Sequence, residues 1–391
     1  MGKSNYFKQM GNLKICKRCI YDETIPGITF NSDGICNYCE MIDSLKAEYK
    51  TGTKEGEEMF LKIVEEIKRK GRCKKYDCVV GVSGGTDSSY MIYKAVKEYG
   101  LRVLAVHYDN TYNSSIATEN IRKVLGKLNV DLYTYVVDNK EMDDIFRSFF
   151  KAGVPELDAA TDIGVAEILY RACAKYGVKY ILEGHSFMAE GVSPIGYMYA
   201  DGKYIESIQK KFGTCKIKSY PNMPILSFLK WITFYRIKKI RPLWYIDYSK
   251  KEAISILEKE FNWVYYQGHH LENRITAFHH SYYDPLKFNI DQRNNSLSAS
   301  VRSGIMSREE ALEEYSKPPF LEPELLEYLI KRLGFTESEF AEIMSSPPKY
   351  YYEYKTYKKI FELMRPYFWI MYKFSLVPKS FYMKYACKKG F

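Results

Sequence analysis

Apolar positions along the chain change their spacing more than once. Over 54–70, Met59, Phe60, Ile63, Val64 and Ile67 recur on one face, and Gly71 is a stop signal, so a helix is expected there. From residue 78 onward, short apolar runs at 78–82, 102–108, 131–137 and 179–182 alternate with helical stretches near 88–99, 114–128 and 162–176. Strands separated by helices predict an α/β fold: a parallel, doubly wound sheet with its ligand at the carboxyl ends of the strands. Residues 190–225 carry little periodicity and read as loops, or a lid, over those ends. Helical patterns return at 249–261, where Ser249 and Glu252 form a capping-box pair. Ser307 and Glu310 open another helix, which stops before Pro318 and Pro319. Further helices fit 323–333, ended by Gly334, and 337–344, capped by Thr336 and Glu339.

Length and composition narrow the class. At 391 residues there is room for two or three domains with a sizeable core. The N-terminus has Lys3 and Lys8 without an apolar stretch behind them, and Tyr6 breaks the myristoylation pattern. The apolar runs at 223–234 and 367–377 are cut by Lys230 and Lys373, well short of the ~18 residues of a membrane span. A cytoplasmic protein is expected, in which nine cysteines serve as metal ligands or buried thiols. The net charge of +10 is local: 208–243 holds nine Lys/Arg and no acid, and 349–391 holds ten against Glu353 and Glu362. Such stretches suit a nucleotide, a phosphorylated sugar, a nucleic acid or an anionic membrane; a solvated face explains them as well.

Four clusters carry chemistry. Ser83-Gly84-Gly85-Thr86-Asp87-Ser88 lies between a strand and a helix, where backbone N–H groups and a positive helix end face an anion. Gly84 and Gly85 admit a phosphate, Ser83 and Ser88 offer hydroxyls, and Asp87 can hold Mg²⁺. No Gly-Lys-Ser/Thr ending follows, so γ-phosphate transfer of the Walker type is not indicated. Second, Cys16, Cys19, Cys36 and Cys39 form a CxxC–x16–CxxC array, the spacing of a four-thiolate Zn²⁺ ribbon, with Pro26-Gly27 and Asp33-Gly34 as turns between the knuckles. Third, His269, His270, Glu272 and Arg274 crowd six positions after Tyr265 and Tyr266, a set that could steer a proton or bind a sugar phosphate, with metal ranked last; His279 and His280 follow. A polar connection with satisfied histidines is the plain alternative. Fourth, Arg293 and Arg302 could fork onto a diphosphate or carboxylate. The tail interleaves lysines with Tyr, Phe and Trp; a membrane interface, a protein partner and a helix packed on the core explain it equally.

The glycine stretch resembles the SGGxDS pyrophosphate loop of the ATP α-hydrolases (the PP-loop ATP pyrophosphatases). That resemblance implies an adenine nucleotide α-hydrolase sheet, places Asp109 after the second strand at the nucleotide, and sets Gly184 and His185 near its phosphates. Taken in order, the ribbon, SGGTDS, EGH, the GHHxEnR stretch and the Asp291–Glu310 cluster resemble the N-acetyl sugar amidotransferase family, from about Cys16 to Tyr315. This implies an ATP-dependent conversion of the N-acetyl group of a nucleotide-linked sugar to an acetamidino group, for surface glycans. Asp87, His185, His269, His270 and Glu272 become catalytic candidates, and Arg274, Arg293 and Arg302 substrate-binding ones. ATP, Mg²⁺ and Zn²⁺ are the implied cofactors. Cys173 and Cys215 lack a Gly-rich elbow, so a separate glutaminase with an ammonia-channelling subunit is an expected partner, and nucleic acid is not. A tRNA thiolation enzyme and a non-catalytic nucleotide-binding scaffold are the alternatives. The implied division is 1–50 zinc ribbon, 51–225 ATP-binding domain, 226–348 mainly helical substrate-binding region and 349–391 basic aromatic tail.

Overall fold

The computed structural model describes residues 13–194, 198–266 and 272–387. Its centre is one sheet of β1 (Cys78–Gly81), β2 (Val103–Asp109), β3 (Asp131–Val136), β4 (Tyr180–Leu182) and β5 (Lys238–Ile240). The spatial order is β3-β2-β1-β4-β5, and every pairing is parallel. The order reverses between β1 and β4, so a crevice opens beyond their carboxyl ends. This is the doubly wound α/β class that the alternating pattern predicts.

Side chains alternate across β1 and build two cores. Cys78 and Val80 meet Phe60 and Val64 of α2 (Lys54–Gly71), Met91 of α3 (Thr86–Tyr93) and Ile121 of α4 (Ser115–Leu128). Val79 meets the other face, with Ile145 and Phe149 of α5 (Asn139–Ala152), Leu169 of α6 (Ala159–Tyr176) and Ile205 of α7 (Gly202–Phe212). Both faces are covered, which explains why the central strands read as continuous apolar runs.

Several elements were not expected, among them three in or against the sheet. α5 has plain signals: Asp138 caps the N–H of Glu141, and Gly153 ends the helix at φ +68°. α7 lies inside the stretch read as loop. β5 is three residues of a basic run, paired to β4, so the sheet continues past residue 225. Its cations find carboxylates beside it: Lys239 with Glu183 at 2.8 Å and Lys238 with Glu66 at 3.8 Å. The tail packs on the core. Phe361 of α15 (Lys358–Leu363) and Phe368 of α16 (Arg365–Lys373) are buried around Phe228 of α8 (Ile225–Leu229).

Candidate active site

The loop after β1 is built from close backbone approaches. Gly84 has φ +81°, and a methyl group there would lie 2.2 Å from the carbonyl oxygen of Ala117 in α4. Only glycine meets both demands. The Gly84 carbonyl accepts from the indole N–H of Trp263 at 3.2 Å and from Asn120 at 3.4 Å, which pins the loop from behind. The Ser83 hydroxyl accepts the N–H of Gly85, and the Ser88 hydroxyl lies 3.3 Å from that of Ser83. Gly85 is the N-cap of α3, so the helix's positive end faces the crevice. The Thr86 hydroxyl there is buried and lacks a hydrogen-bond partner among the described residues. Asp87, one residue on, accepts from the Tyr248 hydroxyl, and the Lys250 amine stands 3.9 Å away.

Tyr266, ahead of the third cluster, and Glu272 within it close over this loop. A Cβ on Gly85 would lie 2.9 Å from the Tyr266 hydroxyl and 3.2 Å from Glu272 Oε1. Burial, then the charges of Glu272 and Asp87, hold the Tyr266 phenol well above its ordinary range. Glu272 is tied to the second strand end, because its carbonyl accepts the N–H of Ser114 at 2.8 Å. Asp109 is at that strand end; its Oδ1 accepts from the Thr111 N–H at 2.7 Å and from Asn113 at 3.0 Å. His269 and His270 lie outside the described residues.

The end of β4 joins the loop to a cavity. A Cβ on Gly184 would lie 2.8 Å from the Asp87 carbonyl oxygen, so this glycine lets strand end and α3 touch. His185 accepts at Nδ1 from the Trp244 indole at 3.2 Å, which directs its other nitrogen towards Glu190, 3.7 Å away. Burial pushes the Glu183 carboxyl up, but Lys239 and Arg241 outweigh it and bring it down to about 2. Glu183 and His185 line a cavity of about 630 Å³ between α6 and the tail. Asp162 and Glu156 form its inner side, and Phe361, Lys384 and Tyr385 its outer side. The Glu156 carboxyl accepts from the Tyr204 hydroxyl at 2.8 Å, and burial pushes it up to about 7. Glu156 and the tail carried no motif; only the tail's aromatic density hinted that it covers something.

Arg274, Arg293 and Arg302 stand apart from one another. Arg274 stacks 4.0 Å over Tyr328 and is 3.6 Å from Glu322. Arg293 pairs with Asp291 at 2.6 Å and donates to the Lys317 carbonyl at 2.7 Å, holding the end of α12 (Arg308–Ser316). Arg302, at the end of α11 (Arg293–Arg302), is 5.4 Å from the Tyr21 ring, and its Nη1 is 4.0 Å from Cys39 Sγ. The structure thus gives both Arg293 and Arg302 internal partners. His279 is buried between Asp158 and Asp284, 3.0 Å from each; burial pulls its pKa down, but the two carboxylates outweigh that and raise it well above the ordinary histidine range.

The cysteine array fits Zn²⁺. All four thiols are buried, with Cys16 and Cys39 sulfurs 3.9 Å apart and Cys19 and Cys36 sulfurs 3.8 Å apart. A tetrahedron with Zn–S of about 2.3 Å has edges of about 3.8 Å. The N–H groups of Arg18 and Cys36 point at Cys16 Sγ, as thiolate acceptors require. The fourth cluster forms the ribbon's seat: Arg308 donates to the Cys16 and Cys19 carbonyls, and Asn295 accepts from the Tyr21 hydroxyl. On its other side α1 (Asn37–Tyr49) packs Ile42 and Leu45 against Phe187 and Trp244, the indole that orients His185.

Residues 272–367 match the family described as LPS biosynthesis protein WbpG-like, C-terminal domain. The match starts at Glu272 and reaches into the tail. An uncharacterized protein of Methanocaldococcus jannaschii is 28% identical over 171 residues, 44% of this chain and 58% of that protein, so little more than half of the relative's length is matched. Among solved structures, NMN synthetase from Francisella tularensis is 15% identical at a TM-score of 0.30, covering 67% of this chain and 95% of its own. The U34-tRNA thiolase NcsA from Methanococcus maripaludis, with its [4Fe-4S] cluster, is 12% identical at 0.33, covering 86% and 90%. The NH3-dependent NAD synthetase from Campylobacter jejuni is 16% identical at 0.31, covering 74% and 95%.

Proposed function

We propose that the chain is an ATP-dependent, AMP-forming amidotransferase acting on the N-acetyl group of a nucleotide-linked sugar in surface glycan biosynthesis. The observation that carries this reading is one strand end with two neighbours. Gly184 touches the glycine loop, and His185, next to it, lines a cavity whose 630 Å³ falls within the ~300–1,000 Å³ of small-molecule sites. The LPS biosynthesis match over 272–367 supports the pathway.

The N–H groups of Gly85 and Thr86, with the Ser83, Thr86 and Ser88 hydroxyls, would hold the β and γ phosphates of ATP. That assignment gives the orphaned Thr86 hydroxyl a partner, at the cost of moving the Gly85 N–H off the Ser83 hydroxyl. Asp87, with Glu272 across the loop, offers the hard carboxylate oxygens that suit Mg²⁺, which when bound would offset charge building on pyrophosphate. With the sugar in the cavity, its amide oxygen attacks the α-phosphorus, the bond to pyrophosphate breaks and an O-adenylyl imidate forms. Ammonia adds to the imidate carbon, AMP leaves with the former amide oxygen, and the nitrogen sheds a proton. His185 would take that proton at Nδ1 in exchange for the Trp244 indole N–H, alongside the candidates His269 and His270. The non-ribbon thiols argue against sulfur transfer: among the described residues they form no second cluster, and Cys78, Cys173 and Cys387 are buried. The test is pyrophosphate release screened across UDP- and CMP-linked N-acetyl sugars with ammonium present. One AMP per pyrophosphate is expected, and cleavage to ADP would refute the reading.

A further inference from the structure

The outer side of the tail has chemistry of its own. α15 and α16 turn Phe361 and Phe368 inward, and on their other side leave Leu363 82% exposed, with Trp369 and Phe374 also in solvent. The turn of helix Lys230–Phe234 that continues α8 runs beside them, joined by the Thr233 and Tyr367 hydroxyls. It adds Phe234, 79% exposed, and α8 itself adds Leu226. Isolated exposed apolar residues are ordinary, but five on two adjoining segments are a patch.

Its charges have one sign. Lys230, Lys359, Arg365 and Lys373 are exposed on the same segments, and the Lys373 amine stands 5.4 Å over the Trp369 ring. Residues 208–243 contain no acid. In the tail the two acids are Glu353, which caps the Tyr350 N–H, and Glu362, 3.5 Å from Lys358.

We propose that this face docks on the surface of an anionic phospholipid bilayer, with α16 lying in the interfacial plane. Lysine among exposed Trp, Phe and Leu is the composition of interfacial helices, and each cation near a negative leaflet adds attraction. A protein–protein interface is depleted in lysine, so the same face fits a protein partner less well. No described helix is long and apolar enough to cross a membrane, which leaves surface docking as the mode.

The test is co-sedimentation of the full chain with phosphatidylcholine vesicles, with and without phosphatidylglycerol. Binding is expected only where phosphatidylglycerol is present, and raised salt should reverse it. Trp231, Trp244 and Trp263 are buried, so Trp369 reports contact by a blue shift of its emission. Lys230→Gln with Lys373→Gln should weaken binding about 25-fold, at roughly fivefold per cation. Trp369→Ser with Phe374→Ser should remove the blue shift and the binding, yet leave pyrophosphate release in solution unchanged, since neither residue lines the loop or the cavity. No binding to either vesicle, equal binding to both, or a dimer in sedimentation velocity that Trp369→Ser dissolves would overturn the proposal, the last assigning the face to a second copy of the chain.

Discussion

At the scale of single residues, two glycines make a controlled comparison. Gly84→Ala puts an L-residue at φ +81°, about 1–2 kcal/mol unfavourable by itself, and drives its methyl into the Ala117 carbonyl. Gly126 lies inside α4 with open space around it, so Gly126→Ala should stabilise by about 0.5–1 kcal/mol. Urea unfolding is expected to move in opposite directions for the two variants, and only Gly84→Ala should lose ATP binding in calorimetry. Glu156 supplies a second prediction. Its carboxyl sits near 4.5 in the unfolded chain and is raised to about 7 in the fold by burial. Below pH 4.5 both states hold the proton and nothing is lost. Between pH 4.5 and 7 the unfolded chain ionises first, so stability falls by about 3 kcal/mol and then levels off. Glu156→Gln should remove that slope from urea titrations at stepped pH.

Among the elements, the ribbon shows what spacing reveals and what it withholds. CxxC–x16–CxxC was legible because its spacing is the one that gathers four thiols at one point, as Cys16, Cys19, Cys36 and Cys39 are gathered. The glycine loop was legible because its residue types follow from the backbone path. Arg302 was visible as a cluster member, but its partner was not, since Tyr21 and Cys39 are brought to it only by the tertiary fold. Equally, β5 was hidden because a three-residue edge of lysines owes its strand to β4, not to its own pattern. The recovered partner changes the expectation for Arg302. Arg302→Met should lower Zn²⁺ affinity about 10- to 100-fold, the usual effect of losing an outer-shell group, and leave KM for the sugar within a factor of two or so. A chelator competition assay reads the first and initial rates the second. Complete zinc removal should go further. With zinc stripped from a loaded ribbon, α1 would lose the anchor that presses Ile42 and Leu45 on Trp244, and His185 its orienting indole. A drop in melting temperature should therefore accompany lower turnover, both restored by added zinc.

For the whole molecule, the proposed reaction raises the question of where its ammonia would come from. At neutral pH ammonia is mostly ammonium, which has no lone pair to offer the imidate. A chain that released ammonia from glutamine would need an activated thiol, and Cys78, Cys173 and Cys215 do not supply one. Burial pushes Cys78 and Cys173 far above the ordinary range. Cys215 is exposed, yet partial burial and the Asp144 carboxylate push it up to about 11, the reverse of what a nucleophile needs. The ribbon thiols are committed to each other's vicinity, all within 4.8 Å. The chain by itself should then form AMP and pyrophosphate with ammonium salts, at a rate that rises with pH as free ammonia rises. With glutamine as the nitrogen source the rate should be about 10²-fold lower or undetectable, until a glutaminase is added. Equal rates with glutamine and with ammonium, from this chain alone, would mean that a hydrolytic thiol exists and that no partner is required. Cys73→Ser and Cys215→Ser, the two exposed positions, would then identify it.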